Sequence, residues 1–142
     1  MKANELSIGD WVCAAMHSVN GKERLTTPMR VTAIGEAWVQ LLVDPKSGYP
    51  DKYVIDDIRP IPLTGDILLD NGWLQSNPCI YRWEVKTNEG LSLADVEVNF
   101  LEGGLPYIRV WAPRHTLTLY APYVHTLQHS MRLAGIEKEI KL

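Results

Sequence analysis

The chain has 142 residues, 46% of them hydrophobic and 22% charged, with a formal net charge of -3. A chain of that length buries roughly two-thirds of its unfolded surface, so its core needs no disulfide or metal staple. Basic and acidic side chains number 7 and 8 over residues 1–62 and 7 and 9 over residues 63–142, which excludes a basic tail or stripe and the bulk attraction to nucleic acid or anionic membrane that one would give.

Residues 1–62 read as β. A polar turn at residues 7–10 leads into an apolar strand at 11–15. A long polar loop follows, with Asn20-Gly21 as a turn signal. Strands are expected at residues 29–34, 37–43 and 52–55, separated by turns at Gly35-Glu36 and at residues 44–48. Asp56-Asp57-Ile58 suits a single 3₁₀ turn. Short strands joined by tight turns predict a small, strongly bent barrel of SH3-like type over residues 1–62. Pro60-Ile61-Pro62 punctuates the chain, because proline cannot continue a ladder. Thr64 then reads as an N-cap with Asp66 in the first turn and Asn71-Gly72 as the stop, which makes a short linking helix.

Residues 63–142 read as that helix, an antiparallel sheet and a C-terminal helix. Residues 79–86 form one strand, with a turn at 88–90. Leu91 and Leu93 alternate in one phase, and Val96, Val98 and Phe100 in the other. A one-residue slip near Ala94-Asp95 is what a β-bulge gives. Residues 102–104 turn into a strand at 107–111, and Leu117 and Leu119 mark another. Pro122 is placed to open a helix at 123–134, with Gly135 in the left-handed C′ position. Residues 136–142 alternate apolar and charged side chains, which suits a terminal edge strand. The fold class expected from the whole pattern is α+β.

Tyr123–His129 reads YVHTLQH, with His125 and His129 four residues apart, as in the zinc-protease pattern H-E-x-x-H. At about 100° per residue, Val124, Leu127, Met131 and Ala134 share one arc and form the core face. His125 and His129 fall on nearly the opposite side with Arg132 beside them. Neighbouring imidazoles at this spacing can reach one metal ion. A zincin, however, needs a buried site and a Glu directly after the first His, and Thr126 stands there. The nearest third ligand in sequence is His115, and Arg132 opposes a cation. The pattern therefore favours a solvated polar face, leaves His125 and His129 as weak metal candidates, and makes His125, His129, Arg132 and Leu133 a surface suited to protein contact.

In the strand at 107–111, Ile108 and Val110 share one face, and Tyr107, Arg109 and Trp111 the other. An aromatic–Arg–aromatic face can stack bases or flat ligands, and Tyr81 and Trp83 alternate in the same way. Five Trp and six Tyr against one Phe suit large core side chains first and half-wet interfaces second. Asp56-Asp57 reads as a turn or cap. No phosphate-binding glycine loop, nucleophile elbow or Cys/His pair is present, so no catalytic residue and no cofactor are expected. Cys13 and Cys79, outside any C-x-x-C, read as buried free thiols. The N-terminal stretch lacks an apolar signal core and no run of about 18 apolar residues occurs. A cytoplasmic protein that contacts no membrane is expected.

The stretches MKANELSIGDWV, IRPIPLTGDILLDNGW and YVHTLQHSMRLAGIEKEIKL resemble a family of small proteins common in gut-bacterial genomes, prophages and mobile elements. The resemblance covers both ends and the middle but neither the loops of the first sheet nor the second sheet, residues 79–120. It implies a mobile-element accessory role and carries no catalytic residues to transfer. Some relatives of this type carry Glu where this chain has Thr126. The function expected is a non-enzymatic binding or adaptor protein that works through a protein partner or self-association. Nucleic-acid binding through Tyr107, Arg109 and Trp111 is the alternative, and metal-dependent hydrolysis through His125 and His129 a further one.

Overall fold

The computed structural model describes residues 1–43, 48–86, 89–90, 92–101, 105–112 and 115–142, with His115 as backbone only. The expected turns at residues 44–48, 88–90 and 102–104 therefore fall wholly or partly outside the described residues, as does Leu91. The chain divides into two compact units, Met1–Ile61 with Leu142, and Pro62–Lys141.

The first unit contains β1 (Trp11–His17), β2 (Glu23–Leu25), β3 (Met29–Ile34), β4 (Trp38–Leu42), β5 (Asp51–Val54) and β6 (Ile58–Pro60). All its ladders are antiparallel. One edge of β1 runs beside β2 at Ala15–His17 and beside β3 at Trp11 and Val12, and its other edge takes β6 at Val12–Ala14. Pairing on both edges of β1 curls the sheet into an open half-barrel. Period-2 alternation fills the inside: Val12 and Ala14, Met29 and Val31, Val39 and Leu41, with Leu6 and Ile58. The turn before β4 is tight because Gly35 N–H donates to the Trp38 carbonyl at 2.8 Å. A Cβ at Gly35 would fall on the Trp38 indole, so a larger residue there has to displace that ring.

Two stretches of the first unit differ from expectation. The long polar loop after residue 15 contains β2, whose three residues are all exposed; a strand with no buried face has no apolar alternation to betray it. Pro60 does not merely punctuate. It pairs with Val12 at the end of β6, an edge strand, where a missing N–H is tolerated.

In the second unit Thr64 caps α1 (Gly65–Asp70), its Oγ1 accepting from Ile67 N–H at 3.3 Å. Gly72 follows at φ 79°, the left-handed stop. The sheet is a meander of β7 (Leu74–Asn77), β8 (Ile80–Lys86), β9 (Ser92–Asn99), β10 (Tyr107–Ala112) and β11 (His115–Tyr120), in the order β11-β10-β9-β8-β7. The slip between phases sits at Leu93: Val85 faces Ala94 while Lys86 faces Ser92. The bulge therefore falls one residue before the expected place.

α2 (Val124–Leu133) packs against β10 and fully buries Val124, Leu127 and Met131. Its start is locked by Thr126, whose Oγ1 accepts from Tyr123 N–H at 3.1 Å and donates to the Tyr123 carbonyl at 2.6 Å. Its end is a left-handed Gly135 at φ 74°, with Ile136 N–H donating to the Met131 carbonyl at 2.8 Å. Residues 136–141 are not the expected edge strand. They run as irregular chain, burying Ile136 and Ile140. Lys138 Nζ lies 4.5 Å above the Trp83 ring. Asn71 fastens the end, its Oδ1 accepting from Lys141 N–H at 2.7 Å and its Nδ2 donating to the Lys141 carbonyl at 2.9 Å. Charged side chains alternate here because the segment lies half out of a core, not because it joins a ladder. Among the described residues, no helix is long and apolar enough to cross a membrane.

Candidate interaction face

The register of the second sheet assigns its two faces. Tyr81 opposes Val98 and Trp83 opposes Val96, and Ile108 and Val110 oppose the same two valines from β10. These side chains form the inner face, to which Lys138 adds its ammonium over Trp83. Burial, and then the neighbouring Lys141, lower the Lys138 ammonium below the ordinary lysine range. Tyr81 and Trp83 therefore do not extend the aromatic face of β10; they stand on the opposite side of the sheet.

The outer face is built in three rows across the strands. Ile80, Asn99, Tyr107 and Tyr120 make the first. Arg82, Glu97, Arg109 and Thr118 make the second, and Glu84, Asp95, Trp111 and Thr116 the third. Within β10 the guanidinium of Arg109 lies 5.4 Å from the centre of the Tyr107 ring and 5.3 Å from that of Trp111. A cation on two rings at once is held in place by both quadrupoles. Asn99 Nδ2 donates to the Tyr107 hydroxyl at 3.1 Å, which fixes one end of the stack.

Beside the stack, Glu97 is only 4% exposed. A buried carboxylate needs hydrogen bonds, and Arg82 supplies two, from Nε at 3.1 Å and from its terminal nitrogen at 2.9 Å. Two shallow concavities flank the stack. One, of about 340 Å³, is lined by Tyr107, Arg109, Thr118 and Tyr120 with Leu101. The other, of about 250 Å³, lies between Arg82, Asp95 and Trp111. The face thus offers fixed aromatic and guanidinium groups with acidic neighbours. It can stack on flat groups and hydrogen-bond to polar ones.

The structure brings Tyr107, Arg109 and Trp111 together, as the alternation of β10 implies. It does not join them to the residues of α2 in one row. Arg82, Glu97, Thr118 and Tyr120 escaped the sequence reading because cross-strand register has to be known first. The alternation of Arg82 and Glu84 with Tyr81, Trp83 and Val85 was the available signal.

The histidine pair departs from the helical wheel. His125 is only 4% exposed, and Gln128 and Ser130 are buried as well. The helix is covered well beyond its apolar arc: within α2 only Arg132 and Leu133 are exposed, with Thr126 and His129 half-buried. His125 stacks on Tyr123 with ring centres 5.7 Å apart and meets His129 edge-on at 5.8 Å. The wheel fails because it registers only the helix's own apolar residues, whereas flat polar rings can be buried by stacking. Thr126, in the place a general base would occupy, ties the first turn to Tyr123 instead. His115, the third metal candidate, lies outside the described side chains. Among the described residues no group of three or more His, Cys, Asp or Glu side chains is gathered for a metal ion.

Asp56 and Asp57 lie in the 3₁₀ turn Ile55–Asp57. The Asp56 carbonyl accepts from Arg59 at 2.6 Å, and Arg59 also pairs with both carboxylate oxygens of Glu23 at 3.1 and 3.2 Å. Asp57 lies 3.4 Å from His17 Nε2. Both cysteines are free. Cys13 is buried in β1, and burial raises its thiol pKa. Cys79 is half-buried, in the turn before β8 and not in a strand. No family model, curated protein or solved structure matches the chain.

Proposed function

We propose that the chain is a non-enzymatic binding or adaptor protein of phage or mobile-element origin, working through protein contacts at the outer face of its second sheet. The observation that carries this reading is Arg109 held between Tyr107 and Trp111 in the middle of a solvent-accessible face. Tyr, Trp and Arg are the residue types in which binding energy concentrates. Their mutual stacking leaves little side-chain entropy to lose on docking. The mixed charges also favour a protein. Arg82 and Arg109 stand among Glu84, Asp95 and Glu97, a pattern that suits a surface of both signs and repels a polyanion.

An SH3-like identity for the first unit is supported by β1 pairing with both β3 and β6, and by the 3₁₀ turn that enters β6. Such barrels serve many functions, so the role is assigned from the face and not from the fold. Capture from host lysate tests the reading. A partner retained by the wild-type chain and lost on Trp111→Ala, with an unchanged circular dichroism spectrum, is expected. Absence of any specific partner, or a partner indifferent to Trp111→Ala, refutes it.

Nucleic-acid binding has one observation in its favour, the two rings at alternate positions of β10, onto which bases can stack. It predicts association with single-stranded oligonucleotides at low salt that weakens as salt rises. No association at low salt ends it.

A further inference from the structure

Among the described residues the sheet of the second unit ends at β11. Ala121 N–H donates to the Pro106 carbonyl at 2.9 Å. Antiparallel ladders alternate residues that bond to one neighbour with residues that bond to the other. Leu117 and Leu119 therefore bond inward to β10, and Thr116, Thr118 and Tyr120 turn their N–H and C=O groups outward. All three are exposed. Edge strands are ordinarily protected by lysine, proline, a bulge or brevity. β11 has six residues in unbroken register with β10, and none of them is Lys, Arg, Asp, Glu, Pro or Gly.

We propose that this edge pairs antiparallel with β11 of a second copy of the chain, about a two-fold axis through Thr118. Opposed residues must share a face, so the axis has to pass through a residue and not between two. Centred on Thr118, the register sets Thr116 against Tyr120, Leu117 against Leu119 and Thr118 against its own copy. Every outward N–H and C=O from Thr116 to Tyr120 then meets an outward partner. Centred on Leu117, the same strands leave Tyr120 facing beyond the start of β11. Thr–Thr and aromatic–β-branched neighbours stabilise such pairs, and no like charges oppose.

The surroundings fit the same occupant. Leu101 and Tyr120 are 49% and 71% exposed, and both line the concavity beside Arg109. Thr116 of the second copy would enter the row of Asn99, Tyr107 and Tyr120 and close that concavity from its open side. The pairing uses backbone groups of β11. It does not rest on the partner reading of the Tyr107–Trp111 stack.

Sedimentation equilibrium of the full chain across a wide concentration range tests it. A reversible monomer–dimer equilibrium is expected. Thr118→Lys sets two ammonium groups opposite each other and raises the dimer dissociation constant on the order of tenfold at low salt, less at high salt. Mixing Thr118→Lys with Thr118→Glu restores a dimer of one copy of each. Thr118→Pro removes an outward N–H that β10 does not use, and abolishes the dimer with the circular dichroism spectrum unchanged. A single-chain mass at every concentration overturns the proposal. So does a dimer indifferent to Thr118→Lys and Thr118→Pro, or a chain that stays single while an extended foreign peptide occupies this edge.

Discussion

Gly65→Ala sets two effects of comparable size against each other. Gly65 is the first residue of α1, and alanine there improves helix propensity by up to about 1 kcal/mol, less at a helix end than in its interior. The added Cβ, however, would fall on the hydroxyl end of the Tyr81 ring. That ring has little freedom to retreat. It is 8% exposed, its hydroxyl lies 3.2 Å from Gln75 Nε2, and Phe100 meets it edge-on at 5.6 Å. Overpacking of this kind costs about 1–3 kcal/mol, so the steric term prevails and the net loss is roughly 1–2 kcal/mol. For a unit of this size each 1 kcal/mol lowers Tm by about 4–8 °C. Thermal unfolding followed by tryptophan fluorescence measures it, because Trp73 and Trp83 lie in the same unit. Tyr81→Phe in the Gly65→Ala background removes the clashing oxygen and recovers part of the loss. A Gly65→Ala chain as stable as the wild type, or more so, refutes the packing described for α1 against β8.

Thr126→Ala removes both bonds to Tyr123 and lowers stability by about 1 kcal/mol, read by urea denaturation. Thr126→Glu recovers most of that, because a carboxylate at the third helical position reaches back to the same N–H, and zinc titration shows no tighter binding than in the wild type. Thiol titration at neutral pH modifies Cys79 well before Cys13, since Cys13 is buried and burial raises its thiol pKa. With the folded pKa above the unfolded one, the unfolded chain releases its proton first. The Cys13 contribution to stability is therefore complete below the ordinary thiol range and is lost as pH rises from there through the raised folded value. A Cys13→Ala chain shows a correspondingly shallower alkaline decline in stability.

The α+β class and most of the strands were legible because they bury one face. Residues 29–34 alternate apolar side chains into the half-barrel, and β3 occupies the expected span. Thr64 and Gly72 bracket α1, and Gly135 ends α2, because capping chemistry is local. β2 and β7 were illegible. All of their residues are exposed, so only the partner strand defines them. The terminal segment misled because alternation alone does not separate an edge strand from an irregular chain anchored at Ile136 and Ile140. At the candidate face, the grouping of Tyr107, Arg109 and Trp111 was visible from period 2 alone. The buried Glu97 and its Arg82 were not, since they belong to other strands and meet that row only through register. His125 was misplaced because its burial depends on the Tyr123 ring and on covering groups that a helical wheel does not contain.

Whether the proposed Tyr107–Arg109–Trp111 face meets a protein partner is read by oxidative footprinting of the chain with and without its captured partner, because the reagent reports aromatic side chains individually. Protection of Tyr107 and Trp111 is expected, with Trp38 of the first unit unchanged. Unaltered labelling of Tyr107 and Trp111 while the partner is demonstrably bound would contradict it.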